Sequence, residues 1–437
     1  MTGFPFLHIF NDIVWHSLKM QAIRVNQKTA DYLTAVRDRL PGRFPPIVND
    51  MDLLVKKGFI VSNEENRKIL EKAKETTAST IQGLYLILTT DCNLNCSYCL
   101  YGTESSRSLM LNKRSMNAAT AIEAINLYAK LIGSNIRTPG YWQQITFYGG
   151  EPLLNKSALV SGIEYCNRLK MTGLLWKGTR LVVNTNGILI DQDLAKFFYE
   201  NEVEVQISID GFSSVHNKNR FDHSGIGSFD SVLKGFDLLS ANNVSIVPLI
   251  TVTEDNIEYL SELISWLEKN YKISSYGANL LMVSTGQQSE TYPKKAADAL
   301  WTAHKKNNAC DFSYLDFFEK LNNGQLSNQS CGAGRKITVF PDGNLHTCQA
   351  LEAAGLTQWG DLKNIDFGNN NWKEWACRTR FDIQECLECP VLGACSGGCA
   401  SNSFYSTGDI HGIDRNHCEF AKHLFTKWIN EKINLIG

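Results

Sequence analysis

LYLILTTDCNLNCSYC, residues 84–99, decides how the chain is read. Leu84 to Leu88 is a short apolar run of the kind that forms a buried strand. Directly behind it stand Cys92, Cys96 and Cys99 in C-x3-C-x2-C spacing. Three thiolates converging from one loop suit a cubic 4Fe-4S cluster and leave one iron without a protein ligand, open to a substrate. A structural zinc site needs four ligands, and no fourth Cys or His lies nearby in sequence.

Outward from this stretch, apolar strands alternate with helical patterns. Strands are expected at Leu84 to Leu88, Gln144 to Tyr148, Leu181 to Asn184, Val205 to Ile209, Ile246 to Val252 and Ala278 to Val283. Helices are expected at Ser115 to Leu131, Ala158 to Leu169, Asp193 to Glu200, Phe229 to Leu239 and Ile257 to Leu267. Such alternation implies a parallel sheet, and six repeats are too few for a closed eight-stranded barrel. The expected fold class is therefore α/β, a partial (β/α)6 TIM-like barrel, with its chemistry at the carboxyl ends of the strands.

The remaining composition fits that picture. The 437 residues are 43% hydrophobic and 20% charged, which excludes a disordered or collagen-like chain. Lys and Arg total 43 against 45 for Asp and Glu, so no nucleic-acid or polybasic membrane partner is expected. No apolar run has membrane-span length and Met1 to Met20 does not read as an export signal, so a cytoplasmic location is expected. Thirteen cysteines in a reducing compartment then point to metal rather than to disulfides. They are grouped: Cys92, Cys96 and Cys99 in one cluster; Cys331, Cys348, Cys386, Cys389, Cys395, Cys399 and Cys418 in another; Cys166, Cys310 and Cys377 apart. Beyond about residue 300 the alternation stops, and bound metal is expected to hold that region together.

The cysteine loop, with Tyr98 just before its third cysteine, resembles the signature of the radical S-adenosylmethionine (SAM) enzymes. Three more segments resemble that family in order. In "YGGEP" (Tyr148 to Pro152) the resemblance implies that Gly149, Gly150 and Glu151 bind the amino group of SAM, a carboxylate facing an ammonium. "NTNG" (Asn184 to Gly187) and "SIDG" with "VHNKNR" (Ser208 to Arg220) end the next two strands, and Tyr98, Asn186, Ser208 and Arg220 are implied as further SAM contacts. The chemistry so implied is reductive cleavage of SAM to a 5'-deoxyadenosyl radical that abstracts hydrogen from a substrate.

The later cysteines, Gly343-x4-Cys348 then C-x2-C-x5-C-x3-C and Cys418, resemble the SPASM domain with its two auxiliary iron-sulfur clusters. That resemblance implies Cys331, Cys348 and Cys399 on one cluster and Cys386, Cys389, Cys395 and Cys418 on the other, making three iron-sulfur clusters with SAM. The first auxiliary set lacks a fourth motif cysteine. Cys310 and Cys377 are spare thiols that read as inert packing, Cys166 as helix core, and His216 and His346 as hydrogen-bonded residues rather than ligands or bases. No catalytic base is identifiable.

Residues 1–78 read as a separate winged-helix module. Strands are expected at Asp12 to Leu18 and Gln21 to Asn26, then a helix carrying Ala30, Leu33, Val36 and Leu40, a second with Met51 to Val55, and a closing strand Phe59 to Val61. The module resembles the precursor-recognition domain of peptide-modifying enzymes. The expected division is thus 1–78, a barrel at 79–305 and a SPASM domain at 306–437.

The leading expectation is a radical SAM/SPASM maturase of a ribosomally made precursor peptide. Residues 1–78 would bind its leader, a flavodoxin or ferredoxin would supply electrons, and side chains would be cross-linked oxidatively by C–C or C–O bonds. Thioether formation, peptide epimerisation and formylglycine generation are alternatives. Gln349 after Cys348 stands where the formylglycine-generating group carries an acid. From another class, a DNA-binding iron-sulfur sensor would use the winged helix, but it has no need of SAM-binding motifs at successive strand ends.

Overall fold

Between residues 83 and 311, apolar strands alternate with amphipathic helices and pair in parallel, as that alternation requires. The computed structural model describes residues 6–38, 40, 45–76, 81–102, 113–132, 143–285, 288–326, 332, 334–351 and 355–435. Contacts group the chain into two units, residues 79–313 with 332–377, and residues 1–78 with 314–331 and 378–437. The grouping cuts across a division at residues 78 and 305: residues 332–377 join the β/α part, and residues 1–78 group with the cysteine-rich end.

In the β/α unit, β4 (Gly83–Ile87), β5 (Gln144–Tyr148), β6 (Arg180–Thr185), β7 (Val203–Ser208), β8 (Ser245–Val252) and β9 (Ser275–Leu280) lie side by side in chain order, all parallel. The two-residue strand β10 (Cys310–Asp311) extends the β9 edge, and the order stays open, an α/β partial barrel. Two crossover helices begin at a capping side chain. Asn155 and Asp191 cap the helices Lys156–Thr172 and Gln192–Glu200 by accepting from Ala158 N and Leu194 N, and Gly173 ends the first with φ 75°.

The strands' two faces differ. Leu84, Leu86, Ile145, Phe147, Val205 and Ile207 are at most 1% exposed. Phe147 lies under Gly162 and Ile125 of two crossover helices, so this face is the helix-covered one. The other face carries Tyr85, Thr146, Tyr148, Asn184, Gln206 and Ser208, half-buried or buried polar groups in register across four strands. A filled barrel interior would be apolar; this one is lined for polar ligands.

The region beyond about residue 300 reads in sequence as one held together by metal for want of a core, and within it residues 332–377 differ. Instead, β11 (Lys336–Val339) pairs in parallel with β4, and β12 (Asn344–His346) and β13 (Gln358–Asp361) follow antiparallel. Trp359, 1% exposed, stacks on Phe367 at 5.0 Å and meets Trp372 at a tilt, with ring centres 4.7 Å apart. Aromatic packing and sheet pairing supply the core that sequence patterning hides.

In the other unit, β1 (Leu7–Phe10), β2 (Ile13–His16) and β3 (Gln21–Arg24) form an antiparallel meander, followed by helices Gln27–Arg37, Val48–Lys56 and Asn63–Thr76. The expected strand Phe59 to Val61 is a turn, because Phe59 N and Ile60 N both donate to Leu54 O behind Gly58 at φ 67° and so close the second helix. The third helix was not foreseen, although Ser62 and Glu65 form a capping box at its start. Its Ile69, Leu70 and Ala73 pack with Phe381, Leu387 and Leu392 of the cysteine-rich segment. Trp15 Nε1 donates to Pro390 O at 2.7 Å, and Gly393 N to Ser17 O at 3.0 Å. Residues 1–78 are thus bound into the same core as Cys386 to Cys395.

Candidate active site

The loop behind β4 is held from three sides. Gly150 N donates to Thr89 O and Glu151 N to Asp91 O, both at 2.8 Å. A Cβ on Gly149 would stand 2.4 Å from Thr89 O, and one on Gly150 2.3 Å from Asp91 O. The two glycines therefore admit the chain's own cysteine loop. On the far side Asn95 N donates to Phe221 O and Ser97 N to Asn219 O, at 2.8 and 2.9 Å. From above, Asn186 Nδ2 donates to Asn93 Oδ1 at 2.7 Å and lies 3.9 Å from Cys92 Sγ.

Glu151 is fully buried after β5. Oε1 accepts from Leu153 N at 3.0 Å and from Thr185 Oγ1 at 2.7 Å, and Oε2 from Asn186 N at 2.8 Å. These bonds tie the ends of β5 and β6 together. A carboxylate offers about four acceptor positions, so one remains for a ligand ammonium. Burial pushes Glu151 up to about 7, against the pull of those three donors.

Asp210 is the residue that motif reading passed over. It is 2% exposed; Oδ2 accepts from Arg220 Nε at 2.7 Å and from the Tyr98 hydroxyl, and Oδ1 from Thr251 N at 2.8 Å. The Arg220 guanidinium lies 5.4 Å from the centre of the Tyr98 ring. Tyr98 and Arg220, implied as SAM contacts, are thus engaged by Asp210 and lock the cysteine loop to β7. The signal in sequence was an acid ending a strand with an arginine ten residues on. Ser208 is half-buried at the end of β7, and its hydroxyl has no hydrogen-bond partner among the described residues.

His216 is buried, its Nδ1 accepting from Asp210 N and its Nε2 meeting Ser228 Oγ at 2.9 Å. Burial holds it down at about 4. His346 is likewise buried, against Thr357. Both are hydrogen-bonded structural histidines.

Cys92, Cys96 and Cys99 are half-buried, and Cys92 and Cys96 both lie near enough to Cys99 to feel its charge. Burial, the larger cause, pushes Cys92 up to about 12 and Cys96 to about 11, so binding a metal group there must release protons. Leu94 N donates to Cys92 Sγ at 3.4 Å, as an amide does to a cluster ligand. Three thiols on one loop with such donors fit a 4Fe-4S group.

In the other unit Cys386, Cys389, Cys395 and Cys418 are mutual neighbours. Burial raises Cys386 to about 11, Cys389 to about 12 and Cys418 above its usual value, with Cys395 adding to each. Cys395 itself lies low: burial would raise it, but His417, the Gly397 N–H and Arg380 outweigh burial. Cys399 N donates to Asp414 Oδ2 at 3.1 Å in this unit. Cys348 lies buried in the β/α unit near Tyr148, whose phenol is raised chiefly by burial, with Cys348 a minor addition. Cys331 lies outside the described residues. Cys166 is core, Cys310 sits on the edge strand β10, and Cys377 is exposed.

The radical SAM superfamily model matches residues 86–267. The chain is 24% identical over 412 residues to the radical SAM cyclopropyl synthase TigE of Paramaledivibacter caminithermalis, covering 89% of this chain and 83% of that one. It is 25% identical over 374 residues to the cysteine-type anaerobic sulfatase-maturating enzyme of Clostridium perfringens, covering 79% and 96%. Native anSMEcpe with bound AdoMet shares the fold with a TM-score of 0.65 at 22% identity, covering 81% of this chain and 99% of that one. Streptococcus suis SuiB bound to precursor peptide SuiA does so with 0.56 at 15% identity, covering 94% and 99%. Among the described residues no helix is long and apolar enough to cross a membrane. Radical SAM enzymes use a 4Fe-4S cluster and AdoMet, and the thiol loop at the carboxyl end of an open parallel barrel lies inside the matched stretch. Residues 86–267 of this chain form a radical SAM domain.

Proposed function

We propose that the enzyme modifies a ribosomally made precursor peptide by oxidative cross-linking of its side chains. The observation that carries this reading is the polar inner face of the barrel, from Tyr85 and Thr146 to Gln206 and Ser208, ending at the cysteine loop. A polypeptide brings many backbone donors and acceptors, and only a polar wall can satisfy them in a water-poor cavity. Similarity to a cyclopropyl synthase and to sulfatase-maturating enzymes, and a fold shared with a peptide-bound SuiB, support it.

In this reading Cys92, Cys96 and Cys99 hold the 4Fe-4S cluster, which with AdoMet supplies a 5'-deoxyadenosyl radical. Gly149 and Gly150 seat the cluster loop. Glu151 offers its last acceptor position to the AdoMet ammonium, Asn186 steadies the loop above Cys92, and Ser208 offers a free hydroxyl. The Asp210, Arg220 and Tyr98 network keeps the loop in place. Cys386, Cys389, Cys395 and Cys418 hold a second cluster, and Cys331, Cys348 and Cys399 a third. Cross-linking removes one hydrogen atom to the radical; bond closure then releases one proton and one electron, and a cluster held by the C-terminal cysteines would supply the acceptor for that electron. A flavodoxin or ferredoxin delivers the initiating electron, and residues 1–78 hold the leader.

The test is to react the reduced, reconstituted enzyme with the peptide encoded beside its gene. The expected product has lost two hydrogens between side chains other than Cys, with 5'-deoxyadenosine formed in step. A thioether at Cys, a formylglycine, or an unchanged mass with inverted stereochemistry would each replace cross-linking by that chemistry. Tight binding to duplex DNA without AdoMet cleavage would sink the enzyme reading of the whole chain.

A further inference from the structure

Arg380 carries a charge that nothing in the described protein balances. It is 2% exposed. Nε donates to Leu392 O and Nη2 to Gly393 O, the latter at 3.0 Å, while Nη1 is buried with no hydrogen-bond partner. The guanidinium lies 4.3 Å from the centre of the Phe381 ring. No carboxylate among the described residues pairs with it, and Asp382 is turned to Lys74. Arg378 makes the contrast: it is also buried, but its nitrogens are taken up by Ile410 O, Gly398 O, Gly397 O and Ser403 Oγ. A guanidinium cannot shed its proton in a protein, and a buried ion left unpaired is strongly destabilising. The carbonyls it holds belong to Leu392 and Gly393, in the loop between the cysteines Cys389 and Cys395. As thiols these cysteines are neutral. As cluster ligands they are thiolates, around a group of net negative charge.

We infer that Arg380 is the counter-cation of the cluster held by Cys386, Cys389, Cys395 and Cys418, and that it raises that cluster's reduction potential so that it accepts the electron released by bond closure. The inference rests on the reading that these four cysteines hold a cluster. Reduction adds one negative charge, and a fixed cation in a water-excluded site stabilises the reduced form more than the oxidised one. Arg380 touches no substrate; it acts through the cluster as a positioning residue.

The experiment uses the full-length chain with Cys92, Cys96 and Cys99 changed to Ala, so that only the C-terminal clusters remain. Arg380→Gln and Arg380→Lys are added to it, and EPR-monitored redox titration reads the potentials. In Arg380→Gln one cluster should become harder to reduce by at least tenfold in its equilibrium, about 59 mV for a one-electron couple, while the other stays put. Arg380→Lys should restore most of the difference. A loaded Arg380→Gln variant with an unchanged potential overturns the inference, as does an equal shift of both clusters. If Arg380→Gln does not load, Arg380→Lys decides: loading shows that the charge is required, and failure to load in an otherwise folded chain overturns the role of charge. Failure of the underlying reading shows separately, as iron content unchanged by Cys386→Ala.

Discussion

Replacing Asp210 by Asn should destabilise the β/α unit by about 3–5 kcal/mol, the cost of leaving a buried ion without its partner. The side chains of Arg220 and Asp210 are only 11% and 3% exposed, so water cannot take over the pairing. Asp210 also accepts from the Tyr98 hydroxyl and Thr251 N, and an Asn amide can present an oxygen to one side only. At roughly 2–3 °C per kcal/mol for a unit of this size, the melting temperature should fall by about 6–15 °C. Because Tyr98 lies between Cys96 and Cys99, iron bound at that loop should fall with it. The assay is calorimetry of the anaerobic protein beside iron analysis. The double variant Asp210→Asn with Arg220→Met removes the orphaned charge and should be more stable than Asp210→Asn alone. Wild-type melting and iron content in Asp210→Asn would refute the idea that this buried pair holds the cysteine loop. A double variant that loses the sum of both single losses would refute the coupling itself.

Changing Cys92, Cys96 and Cys99 to Ala should abolish 5'-deoxyadenosine formation yet leave the C-terminal iron in place, by iron analysis and product chromatography. Gly150→Ala sets a Cβ 2.3 Å from Asp91 O and should cost about 1–3 kcal/mol or more together with iron at the first loop, read by melting and iron content. His216 is held neutral, with its folded value near 4 against an ordinary 6.5, so its contribution is intact above pH 6.5 and lost as pH falls toward 4. His216→Gln should therefore flatten the fall of stability with acid in that window, measured by denaturant titration at stepped pH. Removing residues 1–78 should weaken precursor binding and also release iron from the C-terminal clusters, because it uncovers Phe381, Leu387 and Leu392. Full retention of that iron in the truncated chain would make the N-terminal part a detachable module after all.

Much of the barrel was legible. The expected strand Gln144 to Tyr148 matches β5 residue for residue, and the other five central strands overlap their expected positions, because buried parallel strands write their apolar runs locally in sequence. The cysteine loop was legible for a related reason, since its chemistry needs three thiols at fixed local spacing. The turn at Phe59 was misread as a strand because an apolar triplet has no period of its own. What made it a turn is Leu54 O accepting from two following amides.

The sequence by itself determined the fold class, the positions of Cys92, Cys96 and Cys99 at a strand end, and the family resemblance, all of them properties of neighbours along the chain. Only the tertiary structure decided that Gly149 and Gly150 seat the protein's own loop, that Asp210 holds Tyr98 and Arg220, and that β11 returns to pair with β4 across some 250 residues of chain. It also decided that Trp15 and Ser17 are packed into the core beneath Pro390 and Gly393, and that Arg380 is buried against the loop between Cys389 and Cys395 without an acid. Burial and charge pairing are sums over neighbours in space, and residues hundreds of positions apart carry no local mark of the partner they meet on folding.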